Sequence, residues 1–236
     1  MSEGRVAAEG RAVHERYARR TQIYDPLEPW VLLTRQELER ALCRWARRAY
    51  PGGLGQITLL EVGCGSGGNL LQMLRLGMSP GNLSGNELQV DRAEQARRVL
   101  PTAVRVDAGN ALDLDRSPGS MDVVLQSLVF SSILDAKVQS LLAARMWDWI
   151  RPGGGVLWYD FTVNNPANAD VRGVPVRRVR ELFPSAELHS WAVTLAPPLS
   201  RRVTRLHPSL YAWFNLVPWL RTHRLCWLRK SEEPNA

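Results

Sequence analysis

Between residues 57 and 161 the chain alternates short apolar runs with stretches in which apolar residues recur every three or four positions. The runs at 57–62, 82–86, 103–106, 121–125 and 155–161 are bounded by Gly, Pro, Asn or Asp and read as buried strands. The periodic stretches 67–76, 89–100 and 135–150 read as helices. Strand and helix in turn predict βαβ units and a mainly parallel sheet.

The flanks differ from this core. Residues 1–21 carry Val6, Val13 and Tyr17 at the spacing of a weakly amphipathic helix. Tyr24-Asp25-Pro26 and Pro29 predict a loop. Thr34 followed by Glu37 fits a capping box for a helix with Leu38, Leu42 and Trp45 on one stripe, closed by Pro51-Gly52-Gly53. This divides the chain into an N-terminal helical lid, 1–50, and a main domain, 51–236. In the last third, 176–183 reads as a short basic helix and 187–195 as a strand. Pro197-Pro198 is expected to break the chain, and 200–217 reads as an insertion with apolar Val203, Leu206, Leu210, Trp213, Phe214 and Val217. The segment 222–229 reads as the last strand, which predicts a closing antiparallel pair, and 231–236 as a frayed tail.

A length of 236 residues with 45% hydrophobic and 22% charged residues fits one full-sized soluble domain. No apolar run is long enough for a membrane span, and Met1 to Arg20 lack the apolar segment of a secretory signal. The expected location is cytoplasmic. Cys43, Cys64 and Cys226 lie far apart in sequence, which favours free thiols and no metal site. The net charge of +7 comes almost entirely from arginine. No basic tract alternates with stacking aromatics, so a nucleic-acid partner is disfavoured. Arg201, Arg202 and Arg205 beside Leu210, Trp213, Phe214 and Trp219 allow peripheral membrane contact through 200–220, although a helix covering the sheet is the commoner use of such a segment. Oligomeric state is left open.

Chemistry concentrates in Leu59-Leu60-Glu61-Val62-Gly63-Cys64-Gly65-Ser66-Gly67-Gly68-Asn69, a strand running through a glycine turn into a helix. Glycines let a ligand lie against bare backbone, and the helix start supplies free N–H groups. Read literally, Gly63, Gly65 and Gly68 match a dinucleotide fingerprint, the mark of an oxidoreductase. Glu61 argues otherwise: a carboxylate there is awkward beside a pyrophosphate and useful beside an ammonium. The bland alternative is that it bonds backbone in the turn. Glu87 ends the second strand, where an acid can accept two ribose hydroxyls; the bland alternative is a solvated surface acid.

Five segments in order resemble class I S-adenosylmethionine-dependent methyltransferases, of the type-11-like group. Glu61-Val62-Gly63-Cys64-Gly65-Ser66-Gly67 resembles their glycine motif, and Gly85-Asn86-Glu87 their acidic motif. Gly109-Asn110-Ala111 resembles the adenine-contacting segment, with Asn110 in place of the usual Asp. Pro118 to Val124 resembles the fourth-strand signature, and Ile150-Arg151-Pro152-Gly153-Gly154 the turn before strand five. The resemblance implies a seven-stranded Rossmann-like sheet of order 3-2-1-4-5-7-6 with strand seven antiparallel, N-terminal helices, and a helical insertion between strands six and seven. It implies S-adenosylmethionine as cofactor and S-adenosylhomocysteine as product. The cofactor residues it implies are Glu61, Gly63, Cys64, Gly65, Gly67, Asn69, Glu87, Asn110, Ala111 and Gln126.

The acceptor chemistry is less defined. An O, N or C nucleophile of a small molecule, in a natural-product, glycan or lipid-linked pathway, is the leading reading. RNA or protein methylation and a non-catalytic cofactor-binding scaffold are the alternatives. Asp160, just past strand five, is the first candidate base, weighed equally against a turn-capping role. Tyr24 and His14 are candidates from the lid.

Overall fold

The computed structural model describes residues 2–19, 25–164 and 168–232. Its elements are α1 (Ser2–Ala18), α2 (Pro29–Ala49), β1 (Leu59–Val62), α3 (Gly68–Arg75), β2 (Leu83–Glu87), α4 (Val90–Val99), β3 (Arg105–Ala108) and β4 (Met121–Ser127). They continue with α5 (Ala136–Trp149), β5 (Ile150–Phe161), α6 (Val176–Leu182), β6 (Glu187–Leu195), α7 (Pro197–Leu206), α8 (Ser209–Asn215) and β7 (Arg221–Arg229). The seven strands form one sheet of order β3-β2-β1-β4-β5-β7-β6. β1 to β5 pair in parallel, and β7 runs antiparallel to both β5 and β6. The sheet expected from the sequence is therefore the sheet observed.

Both faces of the sheet are covered, which explains the unbroken apolar strands. Successive residues point to opposite sides. Leu59, Val123, Leu125, Leu157 and Leu225 pack with Leu42, Trp45, Leu70 and Met73 of α2 and α3. Leu60, Val124, Val156 and Trp158 pack with Leu142, Met146 and Trp149 of α5 and with Val179 and Leu182 of α6. Trp45 and Trp149 are fully buried. Truncating either to Ala should cost about 3–5 kcal/mol.

Two local expectations change. α2 begins at Pro29, with proline at its first position, where the missing N–H costs nothing. Thr34 therefore lies inside the helix, and the capping box with Glu37 does not form. Pro197 and Pro198 start α7 for the same reason. Of the N-terminal helices, α2 packs on the core through Ala41, Leu42 and Trp45, and α1 packs on it through partly buried Val6. No described helix is long and apolar enough to cross a membrane. All three cysteines are free.

Candidate active site

In an open parallel sheet, ligands bind at the carboxyl ends of the strands. There β1 turns through Gly63 and Gly65, with φ of +70° and +57°, a region that disfavours any side chain. A Cβ on Gly63 would stand 2.5 Å from Val129 Cγ2, and one on Gly65 2.6 Å from the Arg92 guanidinium. The turn thus presents backbone, with one cation above it. Cys64 points inward: its sulfur packs on Gly85, and burial pushes its thiol pKa up. Only its backbone lines the turn. Gly67 caps α3 in the left-handed region.

Glu61 leaves β1 fully buried. Asn69 Nδ2 donates to its Oε1 at 2.6 Å, and Oε2 has no hydrogen-bond partner. Burial raises its pKa from 4.5 to about 8. A buried carboxylate oxygen without a donor calls for one, and a cation set against it would restore the charged form. Glu87 accepts from Gly65 N at 2.8 Å and from Gln89 N at 3.0 Å. This links the acidic end of β2 to the glycine turn and leaves lone pairs on both oxygens. Asn110 Oδ1 caps the turn at 111–113 by accepting from Leu112 N at 3.0 Å, and Ala111 behind it is buried.

Gln126 is fully buried, donates to Tyr159 O and accepts from Val129 N. Both ends of its amide hold the turn after β4. Asp160 is likewise fully buried and accepts from the backbone N of Ser131 at 3.1 Å and of Phe161 at 2.9 Å. It lies on the α5 face of β5, with Trp158, and desolvation raises its pKa to about 7. His14 is exposed on α1. Tyr24 lies outside the described residues.

Helix α1 crosses the strand ends. Arg16 donates to Ser132 O at 2.8 Å and pairs with Glu9 at 2.7 Å, and Glu9 accepts from Leu134 N at 2.8 Å. These bonds fix α1 to the segment after β4. A Cβ on Gly10 would touch Asn110 after β3, and the Arg92 guanidinium sits over the Tyr17 ring at 5.3 Å. α1 thus reaches the loops after β3 and β4, which flank β2 and β1, and covers the glycine turn between them.

A second polar group, not foreseen in the sequence, lies on the α2 face at the same edge. The Tyr159 and Thr194 hydroxyls meet at 2.7 Å, and His223 stacks on Tyr159 with centroids 5.2 Å apart. Tyr211 of α8 donates to Glu37 of α2 at 2.7 Å. A cavity of about 10 Å³ lined by Leu38, Asn69, Ser127 and Tyr159 joins this group to Glu61 through Asn69. Leu128 and Thr194 are the positive-φ residues other than glycine among those described, at 61° and 64°. Both stand at this edge, where backbone strain commonly marks function.

The sheet order, the glycine turn and the two acids define a Rossmann-like, class I methyltransferase architecture. Residues 59–154 match the family model described as a methyltransferase domain, so this segment is similar to that family. The chain is 28% identical over 137 residues to the tRNA N(3)-cytidine methyltransferase METTL2 of Gallus gallus, covering 53% of this chain and 36% of that protein. It spans little more than a third of that relative's length. Two solved structures share the fold. One is geranyl diphosphate C-methyltransferase of Streptomyces coelicolor A3(2), in complex with Mg2+, geranyl-S-thiolodiphosphate and S-adenosylhomocysteine. Its TM-score is 0.58 at 17% identity, covering 87% of this chain and 81% of that one. The other is a methyltransferase of Archaeoglobus fulgidus, with TM-score 0.56 at 12% identity, covering 84% and 98%.

Proposed function

We propose that this protein transfers the methyl group of S-adenosylmethionine to an O, N or C nucleophile of a small molecule. The observation that carries the cofactor assignment is the unpartnered Oε2 of Glu61 inside a glycine-walled turn. The cofactor's α-ammonium is the complementary donor. Glu87 takes the ribose hydroxyls with its remaining lone pairs, Asn110 and Ala111 border the adenine, and Gly63 and Gly65 give the bare backbone. When bound, the cofactor supplies a methyl group on a positive sulfur. The protein's part is to align the acceptor and exclude water.

The cover formed by α1 supports a small acceptor. A polymer would have to pass a helix hydrogen-bonded to the edge of the site, whereas a small compound can be enclosed beside it. Asp160, held by two backbone N–H groups, acts as a positioning residue for the turn after β4. That leaves His14 of α1, and Tyr24, as the candidates for accepting a proton from a hydroxyl acceptor.

Similarity to a tRNA methyltransferase and the net charge of +7 favour RNA as the second reading. Transfer of labelled methyl to a small-molecule extract, run beside transfer to total tRNA, decides between them. Calorimetry with S-adenosylhomocysteine and with NAD tests the cofactor. Binding of the first, and its loss in Gly65→Val, is expected; binding of NAD alone would reject the assignment.

A further inference from the structure

β6 runs parallel to β5, so the excursion between β6 and β7 leaves and returns at the carboxyl edge of the sheet. Its neck is closed by Ala196 N donating to Leu220 O at 2.8 Å. Its inner side is filled: Ser200, Val203, Thr204 and Tyr211 are buried, and Tyr211 is tied to Glu37 of α2. The outer side is not filled. Leu206 is 81% exposed, Trp213 70%, Leu216 69% and Trp219 93%, with Phe214 and Val217 also exposed. Single exposed apolar residues need no explanation. Six within fourteen consecutive positions, two of them tryptophan, form a patch.

Charge identifies what the patch fits. No Asp or Glu occurs between Glu187 and Glu232, while the excursion and the start of β7 carry Arg201, Arg202, Arg205 and Arg221. Arg202 and Arg205 are exposed on α7, and Arg201 stacks over Trp30 at 4.6 Å. Tryptophan prefers the membrane–water boundary, aliphatic side chains enter the acyl region, and nearby arginines are attracted to anionic headgroups. A single-stranded RNA would use the aromatic rings but gains nothing from Leu206, Leu216 and Val217.

We propose that the α7–α8 excursion inserts its apolar rim into the surface of an anionic lipid bilayer and seats the carboxyl edge of the sheet at the lipid–water boundary. The test is sedimentation of the full chain with vesicles of phosphatidylcholine containing phosphatidylglycerol, against vesicles of phosphatidylcholine alone. Binding should be stronger to the anionic vesicles and weaken with salt. W213S/W219S should lower partitioning about tenfold or more, from the loss of two buried indoles. R202Q/R205Q should lower it about fivefold per arginine. Unchanged melting temperatures would show that both variants fold, because these side chains are exposed. Wild-type protein that stays in the supernatant, or W213S/W219S that sediments like wild type, overturns the proposal. So does a dimer by light scattering that W213S/W219S converts to monomer with no vesicle binding, which would assign the rim to a second copy. Tight binding of a single-stranded RNA oligonucleotide that this variant abolishes, with no vesicle binding, would likewise assign it to RNA.

Discussion

Asn69 holds one oxygen of the Glu61 carboxylate at 2.6 Å and leaves the other buried without a donor. One side chain orients the acid, and the other oxygen is left to take a donor that the protein does not supply. The first prediction follows from that pairing. Glu61→Gln keeps the shape and removes the charge, so the affinity for S-adenosylhomocysteine should fall by about 1.5–3 kcal/mol, the scale of hydrogen bonds to charged groups. Titration calorimetry measures it. A dissociation constant equal to that of wild type would mean that the ammonium lies elsewhere.

The same carboxyl predicts a dependence on pH. Its folded-state pKa is raised from 4.5 to about 8 by burial. The folded state therefore binds a proton that the unfolded chain has lost across that window. The contribution of this carboxyl to stability is greatest below about pH 4.5 and is lost as pH rises through about 8. An ammonium ligand favours the charged form, so ligand binding should release a proton near pH 7. Calorimetry in buffers of different ionisation enthalpy would show this release, and Glu61→Gln should lack it. Identical heats in all buffers would argue against the coupling.

Much of the fold was legible because its signals are local. Apolar runs, the turn at Gly63 and Gly65, and the acids Glu61 and Glu87 all lie within short windows. Proline was misread at Pro29 and Pro197–Pro198, since a residue that ends a helix also begins one well. Strand ends were harder. Gln126 and Asp160 lie near the carboxyl ends of β4 and β5, where strand alternation and the backbone N–H groups of Val129 and Ser131 hold them buried. The Glu37–Tyr211 pair joins residues 174 positions apart and leaves no local trace. Arg92 sits in an ordinary helix, and only the fold brings it over Gly65.

The cover helix gives the third prediction. Arg16 and Glu9 pair with side chains only 11% and 13% exposed. Arg16→Ala would leave Glu9 sheltered without its cation, and breaking such a pair costs about 3–5 kcal/mol. No described residue of α1 is fully buried and Val6 packs on the core from outside, so the loss should undock α1 and leave the rest of the fold intact. Hydrogen exchange over residues 5–18 should accelerate and cofactor release should quicken, with little change in melting temperature. Unchanged exchange would show that α1 is held by other contacts.

Asp160 gives the last prediction. Its two oxygens accept from Ser131 N and Phe161 N, and its burial favours the neutral acid up to pH of about 7. An asparagine in this place has one acceptor oxygen and an NH2 group that would face a backbone donor. One N–H should therefore lose its partner, at a cost of about 1–3 kcal/mol. The turn at 130–132, to which α1 is bonded through Ser132, should loosen with it. A positioning role then predicts that Asp160→Asn lowers the melting temperature and reduces turnover, while the pH dependence of the remaining activity keeps its shape. A proton-accepting role predicts a different result: an unchanged melting temperature, with turnover lower by about 10²–10⁴-fold and the acid limb of the rate profile gone. Thermal unfolding and a rate–pH profile on the same purified variant separate the two, and the second pattern would return Asp160 to the reacting centre.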